Sequence, residues 1–334
     1  MALLTSCAKG DVIYIDDDEE WLNDQRPLVF FLYAEEDLGD LGYADNVYRG
    51  VVRASDSNNL LLSCVETSSE VFEKTFDSFL SVLSNLEEDR RILVVVFNKG
   101  YEEIYRSYED SIKQIDDVDI LFVESNDSTL SSYTLNCEDY GVYYLAGCVI
   151  GSGLSDVSRI LLVSANGTNM ILEGMRRGFC DGITATNSEI EVSNYYISDS
   201  SNYGYDAEVI LYEYSDEINK KYQLVLPLCG GSIQGLLRYN REHSESFYTI
   251  GVDVDMQAYS SKVPFSVVQR LDGAVEKWIN RWAKGESQER HQSYGLADSY
   301  TGIVVSEGYR NQLDEVVSQY LQTAIGKEKE YPNE

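Results

Sequence analysis

The sequence predicts an α/β protein built from two tandem, doubly wound lobes, and three observations carry that prediction. Strand-length apolar runs alternate with helix-length amphipathic segments; the rhythm stops once, over Ser125–Ser132, and then restarts; and the chain of 334 residues holds only four prolines and no long linker. Alternation of this kind implies parallel strands covered by helices on both faces. The lack of a flexible tether implies lobes joined by close crossings, expected near residues 125–140, 253–265 and 285–292.

Each element has its own reason. In the first half, Leu28–Tyr33, Leu60–Val65, Ile92–Phe97 and Ile120–Val123 are short apolar runs that read as buried strands. Between them Asp45–Ala54, Glu70–Leu83 and Tyr101–Ile115 repeat apolar residues at the helical period, which gives one face to pack on a sheet. A further helix is expected at Tyr140–Ile150. In the second half, strands are expected at Ile160–Ser164, Ile190–Ile197, Gln223–Leu228 and Tyr248–Val252, with helices at Asn169–Gly182, Asp206–Lys221 and Ile233–His243. The division that follows is 1–26 as anchor remnant and acidic tether, 27–133 plus about 258–285 as the first lobe, and 134–257 plus about 286–327 as the second.

Charge and composition exclude several classes of function. Against 26 Lys and Arg stand 57 Asp and Glu, a net charge of −31, so a phosphate backbone is repelled and nucleic acid is not an expected partner. No apolar run approaches the length of a membrane-spanning helix. The six cysteines form no CxxC pair and the chain has two histidines, so neither a metal site nor a cofactor is expected. Cys64, Cys148, Cys180 and Cys229 lie in apolar surroundings and read as small buried hydrophobes, while His243 and His291 stand among polar residues and read as solvated. Cys7 differs. Leu4-Thr5-Ser6-Cys7 resembles the lipobox at which bacterial lipoprotein precursors are cleaved and lipidated, and the acidic run Asp16–Glu20 behind it reads as a tether. The membrane would then be met through a lipid anchor only.

In open α/β sheets ligands bind beyond the carboxyl ends of the strands, so two lobes facing each other across those ends would enclose a cleft. The residues following the strands are therefore the binding candidates: Asp40 and Tyr43, Phe97 and Asn98, Asn169, Gly230 and Gly231, Asp253 and Asp255. A carboxylate can accept two hydrogen bonds from a vicinal diol and an aromatic ring offers a stacking face, a combination suited to a sugar attached to a base. An enzyme is not expected. Gly151-Ser152-Gly153 lacks the third glycine of a dinucleotide loop and follows a helical segment, and no phosphate-binding loop, nucleophile elbow or His-Glu-x-x-His pair occurs.

Six ordered motifs carry a resemblance. Gly39-Asp40-Leu41-Gly42-Tyr43-Ala44, Tyr143-Tyr144-Leu145-Ala146-Gly147, Gly178-Phe179-Cys180-Asp181-Gly182, Cys229-Gly230-Gly231-Ser232, Ile250-Gly251-Val252-Asp253-Val254-Asp255 and Ser266-Val267-Val268-Gln269-Arg270-Leu271-Asp272 follow one another along the chain. In order and spacing they resemble the signature of the basic membrane protein (BMP) family of substrate-binding lipoproteins. The resemblance implies a type I periplasmic-binding-protein fold in the cell envelope that captures a small solute, often a purine nucleoside, and hands it to an ABC permease, as a monomer. It also implies roles for Asp40 and Tyr43 at the base, for Asp253 at the ribose hydroxyls, and for Gln269 beside it. Two departures stand out: Ala44 replaces an asparagine, removing an amide that reads a base edge, and Gln269 replaces a lysine, leaving a neutral donor and acceptor. A sensor lobe reporting to a partner is the alternative to a transporter component.

Overall fold

The structure, a computed structural model, describes residues 12–13, 24–34, 38–39, 42–67, 72–84, 90–97, 100–115, 117–125, 127–200 and 204–331. In chain order the elements are β1 (Val12–Ile13), β2 (Leu28–Ala34), α1 (Tyr43–Asn58), β3 (Leu61–Thr67), α2 (Phe72–Ser84), β4 (Ile92–Phe97), α3 (Gly100–Ile112), β5 (Val118–Val123), β6 (Tyr133–Cys137) and α4 (Tyr140–Gly153). There follow β7 (Arg159–Asn166), α5 (Met170–Thr186), β8 (Glu191–Ser198), α6 (Glu208–Lys221), β9 (Leu224–Leu228), α7 (Ile233–Glu242), β10 (Tyr248–Thr249) and β11 (Gly251–Asp253). The chain closes with β12 (Phe265–Gln269), α8 (Leu271–Ala283), β13 (His291–Tyr294), β14 (Thr301–Val305) and α9 (Arg310–Glu330). Apart from the strand expected at Tyr248–Val252, every strand and helix expected from periodicity is present with ends shifted by a few residues, and the fold is that of the type I periplasmic binding proteins.

Two compact units share the chain. Unit 1 comprises residues 1–39, 44–136 and 271–293, and unit 2 comprises 40–43, 137–270 and 294–334. Unit 1 is organised on a seven-stranded sheet of order β1-β3-β2-β4-β5-β6-β13, with β2, β3, β4, β5 and β6 parallel. All seven residues of β2 are buried, as a strand covered on both faces must be. One face packs Phe30, Leu32 and Val94 against Phe76, Phe79 and Tyr101 of α2 and α3. On the other, α1 meets α8 so closely that a Cβ on Gly50 would lie 2.5 Å from the Asp272 carbonyl, and Arg53 reaches Asp272 and Glu276, both at 2.8 Å.

Unit 2 has a parallel four-stranded sheet of order β10-β9-β7-β8 and a three-stranded sheet of order β11-β12-β14 in which β14 runs antiparallel. Nearly every residue of α4 is buried, between α5 and α9. The motif glycines explain how: a Cβ on Gly147 would sit 2.2 Å from the Phe179 carbonyl oxygen, and one on Gly182 would sit 2.1 Å from that of Tyr144. The two helices touch backbone to backbone, and only glycine allows it.

The structure departs from expectation at several points. The strand expected at Tyr248–Val252 is two strands in two sheets, because Gly251, whose Cβ would meet Ser266 Oγ at 2.1 Å, lets the chain leave β9 for β12. Residues 258–270, expected in the first lobe, group with unit 2, since β12 lies between β11 and β14; residues 286–293, expected in the second, group with unit 1, since β13 extends its sheet. The chain passes between units at 136/137, 270/271 and 293/294. Cys148 and Cys229 are buried as expected, whereas Cys64 and Cys180 are half-buried. His291 is half-buried, and its Nδ1 lies 2.9 Å from the Thr134 hydroxyl.

Candidate functional site

The carboxyl ends of the unit 2 strands hold most of the described binding candidates. β7 ends at Asn166, β9 at Leu228, β11 at Asp253 and β12 at Gln269. Asp253 carries the most unusual backbone. Its φ is +68°, and the Val254 amide donates to the Val252 carbonyl at 2.8 Å, closing a γ-turn around it. A γ-turn with positive φ is the rare, strained form, and aspartate is among the few side chains that tolerate it. Strain of this kind persists where surrounding structure over-determines it. Here β11 pairs with β12 up to the Asp253–Val268 register, and Ser266 Oγ accepts the Met256 amide at 2.9 Å, fixing the chain on both sides. Asp253 lines a small recess with Gly42, Pro227, Gly230, Ile233, Val252 and Met256, all of unit 2.

Gln269 belongs to a buried polar pair whose other member, Asp139, sequence reading missed. Gln269 Nε2 donates to Asp139 Oδ1 at 2.6 Å, with Gln269 3% and Asp139 1% exposed. Burial, and after it the Asp253 and Asp139 carboxylates, push the Tyr143 phenol well above the usual tyrosine range, so it stays neutral. Burial, followed by the Asp253 charge, likewise raises the Cys229 thiol. Among the described residues the Tyr143 hydroxyl, Gln269 Oε1 and the hydroxyl of Thr301, the cross-strand partner of Gln269, have no hydrogen-bond partner. A buried polar atom left unpaired costs about 1–3 kcal/mol. Tyr143 and Gln269 stand in two of the motifs quoted above, whereas Asp139 and Thr301 stand in none.

A second polar group forms around Tyr205. Asn169 caps α5 by accepting the Ile171 amide at 2.9 Å and gives its Nδ2 to the Tyr205 oxygen at 3.0 Å. Asn166 Oδ1 accepts the Thr168 and Asn169 amides. Ser232 Oγ accepts the Ala207 amide at 2.7 Å and donates to the Gly204 carbonyl at 2.8 Å. Gly230, with φ +50°, passes beneath the Tyr205 ring, where a Cβ would come within 3.1 Å. The Gly-Gly turn therefore seats Tyr205, and the Asn169 amide holds its hydroxyl. Asn169 and Gly230 act here as scaffolding for Tyr205, a residue the sequence did not single out. Gly231 lies in the same turn, its Cβ position 3.2 Å from the Tyr205 carbonyl.

The other expected site residues fall elsewhere. Tyr43 opens α1, is half-buried and belongs to unit 2. Phe97 ends β4 in unit 1, half-buried. Asp255 is exposed and accepts the Gln257 amide at 3.1 Å, a local turn. Asp40, Asn98 and Cys7 lie outside the described residues. Among the described residues no cluster of three or more His, Cys, Asp and Glu could hold a metal ion, and no helix is long and apolar enough to cross a membrane.

Residues 28–334 match the family of PnrA-like ABC transporter substrate-binding proteins, Bmp. The chain belongs to this family. The Bmp assignment makes it a substrate-binding protein of an ABC transporter, with a small-molecule ligand and a permease partner, working outside the cytoplasm. No curated protein matches the sequence closely enough to count as a relative. Solved structures share the Bmp fold at low identity. A transcriptional activator of the comK gene from Bacillus halodurans aligns with a TM-score of 0.69 at 18% identity, over 89% of this chain and 98% of that one. A solute-binding protein of an ABC transporter system from Aeropyrum pernix K1 gives 0.68 at 16%, over 91% and 90%. The 5-methylthioribose transporter solute-binding protein from Thermotoga lettingae, solved with 5-methylthioribose, gives 0.64 at 10%, over 91% and 95%.

Proposed function

We propose that this substrate-binding protein captures a nucleoside-like solute, is held to the cell envelope by a lipid on Cys7, and acts as a monomer that delivers its ligand to an ABC importer. The observation that carries the ligand reading is the strained γ-turn at Asp253, which commits a carboxylate to the recess at the end of β11. A fixed carboxylate accepts two hydrogen bonds from a ribose diol with little ordering cost. Asp40 and Tyr43 would meet the base, with Phe97 and Asn98 as further candidate contacts. That a protein of this fold holds 5-methylthioribose, a ribose derivative, supports the sugar half of the reading. The net charge of −31 and Gln269 in place of a lysine disfavour phosphate esters.

Calorimetry against adenosine, guanosine, inosine and their 5′-monophosphates tests the ligand. Nucleosides should bind and monophosphates should not; tight binding of a monophosphate contradicts the proposal. For the anchor, Cys7→Ser in the full-length gene should move the protein to the soluble fraction, because stable attachment needs more than one acyl chain on that residue. Unchanged membrane fractionation removes the lipid assignment.

A further inference from the structure

The segments that pass between the units at 136/137, 270/271 and 293/294 are tied to one another within unit 2. Glu138, just past the first passage, gives its amide to the carbonyl of Tyr294 at the third, at 2.8 Å. Arg270, at the second, gives its amide to the Tyr300 carbonyl at 2.6 Å, and the Tyr300 amide returns to the Gly295 carbonyl at 3.1 Å. Glu328 is wedged between the first and the third: it accepts the Leu296 amide, and a Cβ on Gly141 or Gly295 would stand within 2.5 Å of its carboxylate oxygens. The first and second are joined by the 2.6 Å bond from Gln269 Nε2 to Asp139 Oδ1, in residues 3% and 1% exposed. Asp139 stands at the N-cap of α4, where a carboxylate ordinarily accepts a helix amide, yet it makes no capping bond and is turned to Gln269 instead. A hydrogen bond to a charged acceptor in a buried place is among the stronger ones.

We propose that Gln269, acting through Asp139, is a positioning residue that binds the three crossing segments into one body with unit 2, so that turning of one unit against the other is confined to the passages at 136/137, 270/271 and 293/294. Domain closure is absorbed by a few element-terminal residues, and each passage stands at such an end: β6 ends at Cys137, β12 at Gln269 and β13 at Tyr294. Segments that move as a body have less freedom to lose when a solute is captured, which preserves affinity. The inference depends on no particular ligand, and its test uses none.

Hydrogen exchange of the full chain without ligand, read by peptide mass spectrometry, follows residues 138–143, 266–270 and 294–300 in the wild type, Gln269→Leu, Gln269→Lys and Asp139→Asn, with β7 (Arg159–Asn166) as internal reference. Leucine fills the space without a donor, so Q269L should exchange about ten-fold or more faster in all three segments, the fold-change for one bond to a charged acceptor. Lysine offers the Asp139 carboxylate a donor again and should exchange like the wild type. Asp139→Asn keeps an acceptor without its charge and should fall between the two. A rise confined to 138–143 and 266–270 makes the bond a local one and overturns the inference. So does a rise shared equally by β7, or a Q269K that exchanges like Q269L, since the loss then comes from packing. Should Q269L fail to fold, D139N decides: faster exchange at 294–300 with β7 unchanged supports the tie, and unchanged exchange there overturns it. Failure of every nucleoside to bind would overturn the ligand reading and leave this result as it stands.

Discussion

Replacing Glu328 with glutamine should remove a pH dependence of stability that the fold builds into unit 2. Glu328 lies near the end of α9, 6% exposed, and both its carboxylate oxygens accept the Leu296 amide, at 3.0 and 3.2 Å. Gly141 and Gly295 make room for it, since a Cβ on either would stand within 2.5 Å of a Glu328 oxygen. Burial raises its pKa from 4.5 to about 7, opposed by the backbone hydrogen bonds of Leu296 and Ala297 and assisted by the charges of Glu138 and Asp298. The sign follows from linkage: the native state holds this proton more tightly than the unfolded chain, so the stability contributed by Glu328 is fully present below pH 4.5 and is lost as pH rises towards 7. At about 1.4 kcal/mol per pH unit, the loss amounts to at most about 3 kcal/mol. Above pH 7 it is constant. Glutamine has no proton to lose, so Glu328→Gln should gain on the wild type by up to about 3 kcal/mol between pH 4.5 and 7. Urea denaturation of both proteins at pH 4.5, 5.5, 6.5 and 8 reads the difference directly. A difference that stays flat with pH, or that grows in favour of the wild type, refutes the reasoning.

Other outcomes are equally specific. Asp253→Asn keeps a residue that tolerates positive φ and removes the charge; thermal stability should hold while nucleoside affinity falls ten- to a thousand-fold, from hydrogen bonds worth about 1.5–3 kcal/mol each to a charged acceptor. An unchanged dissociation constant would exclude Asp253 from binding. Gly182→Ala should destabilise by about 1–3 kcal/mol or more, because its Cβ would collide with the Tyr144 carbonyl at 2.1 Å, backbone against backbone. The control, Gly326→Ala at an exposed position of α9 with nothing within 4 Å, should stabilise by about 0.4–1 kcal/mol; thermal unfolding compares the two. Burial pushes the Cys148 thiol up to about 11, so native protein at pH 8 should resist alkylation there until it is unfolded, as peptide mass mapping would show.

Much of the fold was legible because it rests on local periodicity. The runs Leu28–Tyr33 and Ile92–Phe97 are apolar throughout, as strands covered on both faces must be, and their bounds lie within one residue of β2 and β4. The glycine motifs were visible as well, though not their reason, which is the contact of α4 with α5. Less legible were the elements that exist through distant pairing. β12 becomes a strand by lying between β11 and β14, and β13 by joining β6 across more than 150 residues of chain. No local pattern marks the switch of sheet at Ile250, which depends on Gly251 meeting Ser266.

The site divides along the same line. The sequence by itself determined the α/β class, the acidic surface, the family resemblance and the positions of Asp253 and Gln269, because these are properties of composition, spacing and order. Only the tertiary structure decided what those residues can do. It gave Asp253 a strained turn, gave Asn169 and Gly230 to Tyr205, and brought Asp139 and Thr301 to Gln269. A side chain's chemistry is written in its identity, but the neighbour that takes up the Gln269 amide hydrogens, Asp139, is 130 residues away in sequence.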